Sequence, residues 1–196
     1  MLNNRMTAIM VGFLALVVGL SLWCFAPVTE PTAEAAAESA KSLDVPRATQ
    51  QQSNWCWATS GLMIAQYYHR NSVGVTECAV VQAIVGIGCP NVAATDSQVT
   101  QTLGWFGFAY SKASGAPTMT TVKAQIDASQ PMGYDYAYVS ASGKHVVVVT
   151  GYYFDVNGSG SVYWNDPADD LNKGSNYAAF VSNSTWTASF TVLNIK

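Results

Sequence analysis

Two hydrophobic patterns divide the chain. From Asn54 to about His69, apolar residues fall at Trp55, Ala58, Leu62, Ala65 and Tyr68, intervals of three and four that predict a helix buried along one face. Ser53 or Asn54 is placed to cap it. Segments 76–86, 96–106 and 120–129 also read as helices, each opened by a Thr, Asp or Ser suited to capping. After Pro131 the pattern changes. "MGYDYAYVS", "KHVVVVTGYYFD", "SVYWND" and "WTASFTVLNI" are rich in Val, Tyr, Phe and Thr, are separated by Gly, Asn and Ser, and read as strands. "DVNGSGS" is the clearest hairpin connection among them. Helices first and sheet second predict an α+β fold.

Residues 1–37 are of another kind. A single early cation, Arg5, precedes an apolar run from about Thr7 to Val28, which reads as an export signal. The run approaches the roughly 20 residues that span a bilayer, so an uncleaved membrane anchor is the alternative. Ala33 with Ala35, and Ala35 with Ala37, make A-x-A cleavage patterns, and the mature chain is expected to begin near Ala36 or Glu38. In both cases the expected domain, 38–196, is secreted or extracytoplasmic.

The composition suits one domain with a substantial core, 196 residues of which 49% are hydrophobic and 11% charged. A formal charge of −3 without charge runs gives no electrostatic footprint for nucleic acid. Contact with a membrane is expected only if the N-terminal segment stays as an anchor.

Cysteine parity then matters. If Cys24 leaves with the signal, Cys56, Cys78 and Cys89 remain in an oxidising compartment, and one is unpaired. Cys78 and Cys89, eleven positions apart across a short helix and a Gly-containing turn, are the natural disulfide. Cys56 is left alone, as a buried inert thiol or a used one. There is no C-x-x-C, and His69 and His145 lie far apart in sequence, which argues against a metal site.

Cys56 falls in the first turn of its predicted helix, where unpaired backbone amides and the macrodipole favour a thiolate. A nucleophile needs a base. His69 lies thirteen residues along the same helix, about 20 Å away at 1.5 Å per residue, and cannot reach the sulfur. His145 remains, at the start of the buried-strand pattern "HVVVVTGYY". A third group would orient the imidazole, and "VYWNDPADD" offers one on the next strand. There Val162, Trp164 and Asp166 share one face while Tyr163 and Asn165 share the other, so one of Asn165 and Asp166 can face His145.

This order of residues resembles the papain-like cysteine peptidases: a Gln, a Cys six positions later at a helix start between tryptophans, a distant His opening an apolar strand, then Asn-Asp-Pro. It is most similar to the compact bacterial branches, the bacteriocin-leader-processing and effector-type proteases. The likeness spans residues 48–195. It implies an N-terminal helical lobe carrying the nucleophile, packed on a C-terminal antiparallel sheet. It further implies peptide-bond hydrolysis by a Cys56–His145–Asp166 triad through a thioester. Gln50 with the Cys56 amide would form the oxyanion hole, with Gln51 and Gln52 as competitors for that role. Asp166 is preferred over Asn165 because Asp-Pro matches the bacterial pattern. No metal or organic cofactor is required, the substrate is a protein or peptide, and the enzyme is expected to be a monomer. Two features depart from papain: its second cysteine just before the nucleophile is absent, and the stretch before Gln50 is too short for a folded inhibitory prodomain. Competing readings are transglutaminase-like or amidase acyl transfer, and a non-catalytic binding module in which Cys56 merely packs.

Overall fold

The computed structural model describes residues 38–86 and 88–196, so the expected signal or anchor lies outside the described residues. In chain order the elements are β1 (Ser39–Ser42), α1 (Cys56–Tyr67), α2 (Glu77–Val85), α3 (Asp96–Trp105), β2 (Ser111–Ser114), α4 (Met119–Asp127), β3 (Met132–Tyr138), β4 (Lys144–Phe154), β5 (Gly160–Asp166), β6 (Leu171–Asn176), α5 (Tyr177–Val181) and β7 (Trp186–Leu193). The fold is α+β, with three helices preceding most of an antiparallel sheet.

The sheet is built around β4. In the order β2-β7-β3-β4-β5-β6, its neighbours are β3 along Lys144–Val149 and β5 on the other edge. Where β3 stops, β1 takes over the same edge of β4, pairing Ser39–Ser42 with Phe154–Gly151. The run Val146–Val149 is buried throughout because both faces of the strand are covered. On one face lies α1, whose Ser60 hydroxyl donates to the Val146 carbonyl at 3.0 Å. On the other, Phe180 of α5 stacks on Tyr134 with centroids 4.3 Å apart and meets Trp164 at 5.1 Å.

Helix α1 is buried at every position from Cys56 to Ala65, not along the single face that the periodicity predicts. It is sandwiched between the sheet and the other N-terminal helices, and Gly61 makes the sandwich thin. A Cβ at Gly61 would lie 2.4 Å from the Thr102 methyl of α3, so only glycine permits this approach. The cap also differs from expectation. The N-cap is Trp55, with no side-chain cap hydrogen bond. Ser53 and Asn54 are committed elsewhere: Asn91 donates to the Ser53 hydroxyl at 2.9 Å, and its own side-chain oxygen accepts from the Asn54 amide at 2.9 Å.

Cys78 and Cys89 form the expected disulfide, with Cα atoms 5.2 Å apart. It ties α2 to the segment that leads on to Asn91. Closing a loop of this length is worth about 3 kcal/mol in the chain-entropy account. Replacing both cysteines by serine should therefore lower Tm by roughly 6–12 °C, since each kcal/mol shifts a domain of this size by about 2–4 °C. Thermal circular dichroism without reductant checks this, and an unchanged Tm would contradict it.

Candidate active site

The amino end of α1 meets the start of β4 in a cleft of about 390 Å³, whose wall also takes Asp135 and Tyr138 from β3. Cys56 is the first residue of α1, free, and 8% exposed. Because no side chain caps this helix, its first-turn amides are not consumed by a capping group. The two tryptophans beside the cysteine hold the opposite rim. The Trp55 indole N–H donates to the Pro90 carbonyl at 2.9 Å, and that of Trp57 to the Val92 carbonyl at 3.2 Å. This strap delivers Ala93 and Ala94 to the cleft wall.

His145, second residue of β4, lines the same cleft and is 7% exposed. Its Nε2 lies 2.7 Å from Oδ1 of Asp166, the last residue of β5. That contact leaves Nδ1 as the nitrogen for Cys56. Burial by itself pulls the imidazole down, but the hydrogen bond with Asp166 and the influence of nearby Cys56 outweigh it and raise its pKa to about 9. For Asp166 burial works upward. Hydrogen bonds from His145, Lys173 and the Ala168 amide prevail and hold its carboxyl well below the usual carboxylate range. An ionised carboxylate against a protonated imidazole is the resulting state at neutral pH.

Asn165 points to the other side of the sheet. Its Nδ2 donates to the Val45 carbonyl at 2.9 Å, and its oxygen accepts from Asn172 at 2.9 Å. The alternation along β5 thus puts Asp166, not its neighbour, beside the histidine. His69 sits past the end of α1 with a left-handed φ of 52° and belongs to no such cluster. Gln50 is tethered near the Asp166 turn by its amide, which donates to the Pro167 carbonyl at 2.8 Å. Its side-chain Nε2 donates to the Gln52 carbonyl at 2.9 Å, its Oε1 is buried without a partner, and it stands outside the cleft lining. Gln51 and Gln52 are exposed.

Two residues escaped the sequence reading. Lys173 of β6 donates to the second Asp166 oxygen at 2.8 Å and also meets Asp169 at 2.6 Å. Asp135 of β3 lies in the cleft wall. A lone carboxylate within the apolar and aromatic run "MGYDYAYV" was the available signal for it.

Architecture and site together make this a papain-like cysteine peptidase, a hydrolase. The chain belongs to the family described as papain-like cysteine protease AvrRpt2, whose model matches residues 39–185. No curated protein matches the sequence. Among solved structures it is similar to a double glycine motif protease from an AMS/PCAT transporter in complex with the leader peptide, at 18% identity and TM-score 0.52, covering 78% of this chain and 92% of that one. It is also similar to the peptidase domain of Streptococcus ComA, a bi-functional ABC transporter involved in quorum sensing, at 14% identity and TM-score 0.53, covering 76% and 96%. At these identities the likeness is one of fold, and the fold is the compact bacterial papain-like one that the sequence leads one to expect.

Proposed function

We propose that the domain, residues 38–196, is a secreted endopeptidase that hydrolyses peptide bonds with Cys56 as nucleophile, His145 as acid and base, and Asp166 as the group that orients the imidazole. The observation that carries this reading is that His145, held at 2.7 Å by Asp166, lines the same cleft as the free Cys56. In the first step the Cys56 sulfur attacks the substrate carbonyl carbon. The C–N bond breaks as His145 gives its proton to the leaving amine, and a thioester remains. Water then attacks the thioester while His145 takes its proton, releasing the carboxylate product and the thiolate. On the family likeness we assign the oxyanion to the Cys56 amide and to Gln50, whose side chain has one amide hydrogen held by Gln52 and the other left over.

The Cys78–Cys89 disulfide supports an oxidising, extracytoplasmic setting, and the leader peptide in the similar double-glycine protease supports a peptide substrate. We take residues 1–37 as the signal peptide or anchor and the enzyme as a monomer without a cofactor. Incubating the mature chain with quenched-fluorescence peptides, peptidoglycan and a glutamine–amine pair tests the reaction type. Cleaved peptide bonds are expected. Amine incorporation or muropeptide release without peptide cleavage would overturn the reading.

The oxyanion assignment has its own test. Gln50→Ala should lower kcat about 100-fold with little change in KM, the loss typical of one oxyanion donor. Gln51→Ala and Gln52→Ala should each stay within about twofold of wild type, since both side chains are exposed. A large loss at Gln51 instead of Gln50 would move the role.

A further inference from the structure

Asp135 is an expensive residue to keep. It is 3% exposed, and its Oδ1 is fully buried without a hydrogen-bond partner. A buried carboxylate oxygen with no donor costs stability unless something outside the folded chain compensates it. Within the chain the carboxyl is only partly compensated: a side-chain hydrogen bond with Ser189 favours its charged form, but no donor serves Oδ1. The Lys144 ammonium pairs with Oδ1 only at 4.0 Å, beyond hydrogen-bond distance, and two of its three hydrogens go to Asp96 at 2.6 Å and Ser189 at 2.7 Å.

The strand is also shaped at this point. Between Asp135 and Tyr136 the register against β7 shifts, Asp135 facing Phe190 and Tyr136 facing Ala188, so Ser189 is bulged. Such bulges re-aim side chains beside active sites. Asp135 pairs with Val146 across β3 and β4, and both line the cleft that holds Cys56 and His145. The same wall carries Trp57, Ala94 and Val99, an apolar surface suited to the methylene stem of a long cationic side chain.

We propose that this part of the cleft is a subsite for a lysine or arginine side chain of the substrate, with Asp135 as its counter-charge, so that the peptidase selects a cationic residue near the scissile bond. The proposal rests on the reading of Cys56 and His145 as the reacting pair. It also predicts a pH dependence. The groups around Asp135 are Lys144 and His145 from β4, Asp96 from the start of α3, Lys112 from β2, Ser189 from β7 and Cys56 from α1. Burial dominates among their effects, with Lys144 opposing it, and the carboxyl is pushed up to about 7. Below that pH the counter-charge is protonated and lost, so preference for a cation should strengthen as pH rises through about 7.

A peptide series in which each position in turn carries arginine or its neutral isostere citrulline tests this, with wild type, Asp135→Asn and Cys56→Ala measured in parallel. Wild type should prefer arginine at one position by tenfold or more in kcat/KM. Asp135→Asn should cut cleavage of that arginine peptide at least tenfold more than cleavage of its citrulline partner. Equal preference in wild type, or an equal loss on both peptides in Asp135→Asn, overturns the subsite. If citrulline peptides are cleaved by wild type and not by Cys56→Ala, the reacting pair stands whatever the subsite result. A readout without turnover covers an enzyme that cleaves none of the series: n-butylguanidinium should slow alkylation of Cys56 in wild type and not in Asp135→Asn, and no protection in wild type overturns the proposal.

Discussion

Cys56→Ala should lose peptide hydrolysis almost completely, with kcat falling by about 10⁴-fold or more, as expected when a covalent nucleophile is removed and only binding and oxyanion stabilisation remain. The fold should survive the change. Cys56 lies at the first position of α1, takes no part in the disulfide, and alanine keeps its Cβ and helix propensity. Far-ultraviolet circular dichroism and Tm close to wild type, beside an inactive enzyme, are the expected pair of results. Residual turnover near the wild-type rate would mean that another group attacks the carbonyl.

His145→Ala should cost about 10³- to 10⁴-fold in kcat/KM and should also remove the alkaline limb of the pH profile. The sign follows from the site. In the proposed mechanism activity requires protonated His145, which supplies the proton for the leaving amine. Its pKa is raised to about 9, the hydrogen bond with Asp166 and the influence of nearby Cys56 overcoming burial. Wild-type kcat/KM should hold up to about pH 8 and fall tenfold per unit well above 9. The same shift bears on stability. A histidine whose folded value stands above its usual 6.5 stabilises the fold fully below that pH, and the contribution is lost as pH rises from 6.5 to about 9. In His145→Ala that part of the slope of stability against pH should vanish. A wild-type alkaline limb near an ordinary imidazole value would contradict the close contact with Asp166.

What could be read from the sequence follows from where side chains had to be buried. The strands β3, β4, β5 and β7 announce themselves because each covers a core with Val, Tyr, Phe or Trp. The edge strands do not. "SAKS" of β1, "SKAS" of β2 and "LNKGSN" of β6 are largely exposed and exist through backbone pairing to β4, β7 and β5, a partner that no local pattern reveals. Helix α5, five residues long with one buried side chain, is equally silent.

The site divides in the same way. Cys56 was legible as a candidate because the apolar period begins beside it, and His145 because the other histidine lies just beyond the far end of that helix. The strand alternation in β5 narrowed the candidate third group to one of two neighbours without choosing the face; the register with β4 and the side-chain contacts turn Asn165 to Val45 and Asp166 to His145. Lys173 reaches Asp166 through hairpin register, and Asp135 reaches the cleft beside a bulge between strands distant in sequence, neither of which periodicity encodes. The cap failed for a related reason: Ser53 and Asn54 have capping chemistry, but Asn91, brought in by the neighbouring strap, takes their hydrogen bonds.

The most direct test of Cys56 as the attacking atom is to stop the reaction in acid within its first turnover and weigh the proteolytic fragment that contains this residue. The account predicts that the fragment gains the mass of the substrate's acyl portion, as a thioester removed by hydroxylamine. Product appearing while Cys56 carries no acyl group at any time point would contradict it.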